Sequence, residues 1–163
     1  MQLELEMNKH EKYMREAVNL ALQNLNKQNG GPFGAIVVRN GKVIATGVNT
    51  VTTDNDPTAH AEINAIRKAC SVLKTHQLDD CVIYSSCEPC PMCLSAIYWA
   101  RPKKIYFGAT RQDAAAAGFD DAKIYDEMEK HHLLREMPSQ IVSIPEAREV
   151  FVKWVNSEHK IEY

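Results

Sequence analysis

Two short segments constrain this chain more than any other feature: His60-Ala61-Glu62, and Pro89-Cys90-Pro91-Met92-Cys93. Each is expected to follow a strand and to open a helix. Cys90 and Cys93 are three residues apart at a helix start, so their sulfurs can converge on one ion. Pro91 suits a first helical turn, where its missing N–H has no partner to lose. The partial positive charge of a helix N-terminus lowers thiol pKa and favours the thiolates that zinc requires. His60 adds a nitrogen, giving three protein ligands and leaving one tetrahedral position open for water, as in catalytic zinc sites. Glu62, two residues past the histidine, can reach that water without being a ligand itself.

This His-x-Glu with Pro-Cys-x-x-Cys arrangement is the signature of zinc deaminases. Either half alone is only suggestive. Cys87-Glu88-Pro89-Cys90 is a second C-x-x-C, and with Cys93 and His60 it admits a closed structural Cys₃His site. A Glu at a helix start is ordinarily a favourable first-turn charge; its place beside a ligand histidine raises it here. Cys70 and Cys81 fall on apolar faces and read as core. His76, His131 and His132 lack ligand-like spacing and read as surface residues.

The pattern around these segments predicts one α/β domain spanning residues 1–163. Asn8 to Gln28 reads as a helix, with Met14, Ala17, Val18, Ala21 and Leu25 facing a core. Asn29-Gly30-Gly31-Pro32 ends it. Phe33 to Val38 and Lys42 to Val48 read as strands joined through Asn40-Gly41, a two-residue hairpin turn. A helix is expected from His60 to about Leu73, a strand over Cys81 to Ser85, a helix over Pro91 to Ala100 and a strand over Lys104 to Ala109. Strand, helix, strand implies a right-handed crossover and a locally parallel sheet. Ile141 to Ile144 reads as a fifth strand, and Glu146 to Asn156 as an amphipathic helix. The expected architecture is a three-layer α/β/α sandwich around a five-stranded mixed sheet.

Composition narrows the function classes. A formal net charge of −2 gives no electrostatic case for general binding to nucleic acid or an anionic membrane. No stretch approaches the roughly 20 apolar residues that span a bilayer. The opening Met1-Gln2-Leu3-Glu4-Leu5-Glu6-Met7 is acidic and lacks the regions of a signal peptide. A cytoplasmic protein is expected, and in that reducing compartment five cysteines suggest metal ligands before disulfides.

The residues also carry a family resemblance. The chain resembles the cytidine deaminase superfamily, and within it is closely similar to the bacterial guanine deaminases. The matching segments are Gly30-Gly31-Pro32-Phe33-Gly34-Ala35, Asn49 with Asp56-Pro57-Thr58-Ala59-His60-Ala61-Glu62, Ser86 to Cys93, and Ile97-Tyr98-Trp99-Ala100-Arg101-Pro102. Those four are shared, with variations, by tRNA adenosine deaminases and cytosine deaminases. Ala117-Gly118-Phe119-Asp120-Asp121 and the terminal Glu162-Tyr163 are the parts that point to guanine. The resemblance implies hydrolysis of guanine to xanthine and ammonia, by attack of zinc-bound hydroxide on C2 with Glu62 as proton carrier. It also implies a homodimer whose C-terminal segments, residues 157–163, are exchanged and cover the partner's active site.

Substrate contacts expected on this resemblance are Phe33, Asn49, Ala61, Trp99, Asp121 and Tyr163. Guanine offers two adjacent donors, N1–H and the 2-amino group, and a carboxylate such as Asp121 can accept both. Asn49 has a donor and an acceptor, enough for a carbonyl and a ring nitrogen together. Phe33 and Trp99 can wall the flat ring, and the backbone N–H of Ala61 can help orient water or substrate. Each residue has a plainer reading: core for Phe33 and Trp99, a turn for Asn49, a helix cap for Asp121. A tRNA adenosine deaminase, a cytosine or aminotriazine deaminase, and a non-catalytic zinc-stabilised module are the rival functions. The first would need a basic stripe, of which Lys103-Lys104 is all the sequence concentrates.

Overall fold

The computed structural model describes residues 2–163; Met1, the start of the acidic opening stretch, lies outside the described residues. The chain separates into two compact units, one ending at Tyr125 and the other Asp126–Tyr163.

The first unit is built on a sheet of four strands in the order β2-β1-β3-β4, namely β1 Gly34–Arg39, β2 Lys42–Val48, β3 Cys81–Cys87 and β4 Lys104–Ala109. β1 pairs antiparallel with β2 and with β3, whereas β3 and β4 run parallel. Asn40 and Gly41 both take positive φ, +50° and +76°, the geometry that closes a two-residue hairpin with the right twist. The parallel pair is joined through α4, Pro91–Ala100, the crossover that the strand-helix-strand rhythm requires.

Alternation along the strands sends side chains to two cores. Ile36, Val38 and Tyr84 pack against Tyr13 and Ala17 of α1, Gln2–Lys27. On the same face His10 sits between two phenols, its Nδ1 2.7 Å from the Tyr84 hydroxyl and its Nε2 3.2 Å from that of Tyr106. The opposite face, with Ala35, Val37, Ala45 and Ile83, is covered by Ala61, Ala65 and Ala69 of α3, Ala61–Leu73, and by Ile97 and Ala100 of α4. Small residues let α3 lie close to β2: a Cβ on Gly47 would stand 2.1 Å from the Ala61 carbonyl oxygen. Helices on both faces give the expected three layers.

A short α2, Val51–Asp54, follows β2, and α5, Arg111–Ala116, follows β4 behind a capping box formed by Thr110 and Asp113. A further helix, α6, Asp121–Glu129, reaches into the second unit.

The second unit holds a 3₁₀ turn at His132–Leu134 and α7, Pro145–Val155. The expected fifth strand is not formed. Ile141 to Ile144 has the apolar character of a strand but pairs with no ladder among the described residues, and Ile141 and Val142 are 84% and 80% exposed. A strand without an edge to hydrogen-bond to leaves its peptide groups to water. No described helix is long and apolar enough to cross a membrane.

Candidate metal centre and active site

The start of α3 and the start of α4 meet beyond the end of β3. His60 is the N-cap of α3 and Cys90 the N-cap of α4, both with extended backbone, so each ligand stands one residue before helical geometry begins. Pro91 occupies the first turn of α4 as expected. His60 Nδ1 lies 3.5 Å from Cys90 Sγ and 3.5 Å from Cys93 Sγ, and the three donor atoms all lie within 4.8 Å of one another. Tetrahedral zinc, with Zn–S of about 2.3 Å and Zn–N of about 2.0–2.1 Å, sets sulfur and nitrogen about 3.5 Å apart. The donor set fits the ion in both chemistry and spacing.

The electrostatics agree. A hydrogen bond from the Cys93 thiol holds Cys90 down at about 4, with His60 adding to the effect against the cost of burial. Cys93 is pushed up by the bond it gives Cys90 and by burial. Cys90 in turn raises His60. The pair thus favours a thiolate at Cys90, and a dication bound between the two sulfurs would favour loss of the second proton.

Glu62, in the first turn of α3, is 6% exposed. Its Oε2 lies 3.5 Å from Cys93 Sγ, and its Oε1 accepts from the Ser85 hydroxyl at 3.1 Å. Burial raises the Glu62 carboxyl above the ordinary range, the direction that suits a group which must both take and give protons near neutral pH.

A cleft of about 220 Å³ opens over these residues, lined by His60, Glu62 and Cys90 together with Phe33, Asn49 and Asp121. Asp121, at the N-terminus of α6, is raised by burial and by the negative charge of Cys90. Tyr125, one turn further along α6, donates to the Pro89 carbonyl at 2.8 Å and ties the helix to the cysteine loop. Phe33 meets the edge of Phe119, with ring centroids 4.8 Å apart.

Asn49 departs from expectation. Its Oδ1 already accepts from the N–H groups of Gly31 and Val51, each at 3.2 Å, so the amide offers the cleft donors and not the donor–acceptor pair expected from the sequence. Trp99 does not join the group. The buried face of α4 carries Cys93, Ile97 and Ala100, and Trp99, off that stripe, is 61% exposed and absent from the cleft wall. Ala61 is fully buried as the first residue of α3, and its side chain is not part of the lining. Tyr163, in the second unit, is 68% exposed.

Cys87 is buried with its thiol toward the Thr110 carbonyl at 3.6 Å, and burial pushes it up to about 11. It does not belong to the donor cluster, so the closed four-ligand arrangement is not the one formed.

Several contributors escaped the sequence reading. Phe119 and Glu88 line the cleft. Ser85 holds Glu62. Asn64 donates to the carbonyls of Val48 and Ala59, at 2.9 and 3.3 Å, and to the Thr50 hydroxyl at 3.0 Å. It thereby links the exit of β2 to the turn before His60.

Comparison with known proteins supplies the family. Residues 7–109 match the model of the cytidine and deoxycytidylate deaminase zinc-binding region. The guanine deaminase of Bacillus subtilis (strain 168) is 54% identical over 154 residues, spanning 94% of this chain and 99% of that one. A tRNA-specific adenosine deaminase of Buchnera aphidicola subsp. Schizaphis graminum is 39% identical over 118 residues, 69% of this chain and 78% of the relative. The X-ray structure of guanine deaminase from Bacillus subtilis superposes with a TM-score of 0.92 at 55% identity, covering 94% of this chain and 98% of that chain. The chain has the α/β fold of these enzymes, and it belongs to the zinc-binding cytidine and deoxycytidylate deaminase family.

Proposed function

We propose that the protein is a zinc-dependent guanine deaminase, converting guanine and water to xanthine and ammonia. The observation that carries this reading is one cleft in which a buried carboxylate, Glu62, adjoins the His60, Cys90 and Cys93 donors while Asp121 and Asn49 line the wall. The similarity to a bacterial guanine deaminase over 94% of the chain supports the choice of base.

His60, Cys90 and Cys93 would hold the zinc, which when bound would make a water acidic enough to act as a nucleophile near neutral pH. Glu62 takes a proton from the water that adds its oxygen to C2 of guanine. It gives that proton to the ring nitrogen, then takes the proton of the new C2 hydroxyl and gives it to the 2-amino group, which leaves as ammonia as the C2 carbonyl forms. Asp121 accepts from N1–H and the 2-amino group, Asn49 Nδ2 donates to the ring carbonyl, and Phe33 covers the ring face. The backbone N–H of Ala61, at a helix start, helps orient the reacting groups.

The whole of residues 1–163 acts as one deaminase domain in a homodimer, with residues 157–163 exchanged so that Tyr163 completes the partner's site. In support, no residue among 126–163 is buried, although α7 carries Val150, Phe151, Val152, Trp154 and Val155 at 44–72% exposure. An apolar helix with nothing buried needs a further surface to cover it. Its place is the cytoplasm, in purine breakdown, where cysteines outside disulfides stay reduced.

The test is ammonia release across guanine, adenine, cytosine, their nucleosides and ammeline. Guanine is expected to be the best substrate. Activity on a tRNA anticodon arm with none on free bases would move the protein to the adenosine deaminase reading.

A further inference from the structure

We infer that Asn24 is a positioning residue that locks the amide of Asn49 with its donors toward the cleft, and so makes the site select a ring carbonyl oxygen at that position. The inference deepens the guanine reading and rests on it.

The buried stripe of α1 runs Tyr13, Ala17, Ala21, Asn24, a helical spacing at which an apolar residue is expected. Asn24 nevertheless stands there, 2% exposed. A buried amide is unfavourable unless its groups are bonded, and here only one end is served. Nδ2 donates to the Gly31 carbonyl at 2.9 Å and to the Asn49 carbonyl at 2.8 Å, whereas Oδ1 is buried without a partner among the described residues. An amide at this position is therefore explained by its two donors.

Those donors hold both sides of one small circuit. Gly31, whose carbonyl Asn24 grips, gives its N–H to Asn49 Oδ1, and the Val51 N–H takes the second lone pair. Two N–H groups on Oδ1 define which way the Asn49 amide points. Helix α1 thus fixes a residue of a cleft that Asn24 does not itself line. Without Asn24 the Gly31 and Asn49 segments lose their shared anchor, and the amide, left with the Val51 N–H as its one firmly placed donor, can turn its oxygen to the substrate.

The probe is guanine against 6-thioguanine. The two share N1–H and the 2-amino leaving group and differ at the one atom that Asn49 faces, where sulfur is the weaker acceptor. In Asn24→Leu, kcat/KM for guanine should fall on the order of tenfold, mainly through KM, while 6-thioguanine changes much less, so the ratio moves toward one. Zinc stays at the wild-type stoichiometry. Asn24→Ser keeps one hydroxyl donor and should fall between the two, and it decides alone if the leucine variant does not fold. Parallel losses for both bases, leaving the ratio unchanged, overturn the inference while sparing the guanine reading. A wild type that turns over neither base overturns that reading and this inference with it.

Discussion

The Ser85 hydroxyl of β3 donates to Glu62 Oε1 of α3 across 3.1 Å, with both residues buried. The other carboxylate oxygen is thereby left beside the metal donors. Ser85→Ala should lower kcat by about tenfold, the effect of one hydrogen bond to a charged group, and leave zinc binding and KM near their wild-type values. A variant with unchanged kcat would show that packing alone orients Glu62.

Cysteine substitutions should separate ligands from neighbours. Cys90→Ala and Cys93→Ala each leave two protein ligands, too few for a stable catalytic site, and should lose both zinc and turnover. Cys87→Ala should keep the wild-type zinc content measured by atomic absorption. Loss of zinc on changing Cys87 would instead favour a four-ligand centre.

Asp121→Asn tests substrate recognition. The replacement amide accepts only through its oxygen, so one guanine donor meets an N–H₂ group, at a cost of about 1–3 kcal/mol. Guanine turnover should fall by roughly 10- to 100-fold with metal content intact. Wild-type kinetics would reduce Asp121 to the first residue of α6.

Much of this was legible in the sequence because it depends on near neighbours. The i, i+3 cysteines at a helix start, the Asn40-Gly41 turn and the β3-α4-β4 crossover are local signals, and each formed as expected. Ile141 to Ile144 misled because its composition fits a strand, whereas a strand also needs a partner edge. The exposure of Trp99 follows from its helical phase, since Cys93, Ile97 and Ala100 mark the buried stripe of α4. Ser85 was readable in principle, since alternation puts it on the same face of β3 as the core residue Ile83. The turn reading of Asn49 already implied a bond from the N–H two residues on, which Val51 makes, whereas the Gly31 N–H, 18 residues away, could not be read.

The exchanged tail makes its own prediction. Deleting residues 157–163 should leave a folded, zinc-loaded dimer with greatly weakened guanine turnover, because a closed lid excludes water from the site. Mixing tailless chains with full-length Glu62→Gln chains should restore some activity, since an intact Glu62 site then borrows its partner's tail. Full activity after truncation, or no recovery on mixing, would show that the tail does not cross between subunits.

The central claim is that Glu62 carries protons between water and guanine at the His60, Cys90 and Cys93 centre. Xanthine formation from guanine, followed chromatographically for wild type and Glu62→Gln at matched zinc content, tests it most directly. The wild type should yield xanthine and ammonia in equal amounts, and Glu62→Gln, whose amide cannot carry a proton, should be slower by roughly 10²–10⁴-fold. Xanthine formed at comparable rates by the two zinc-loaded proteins would contradict the account.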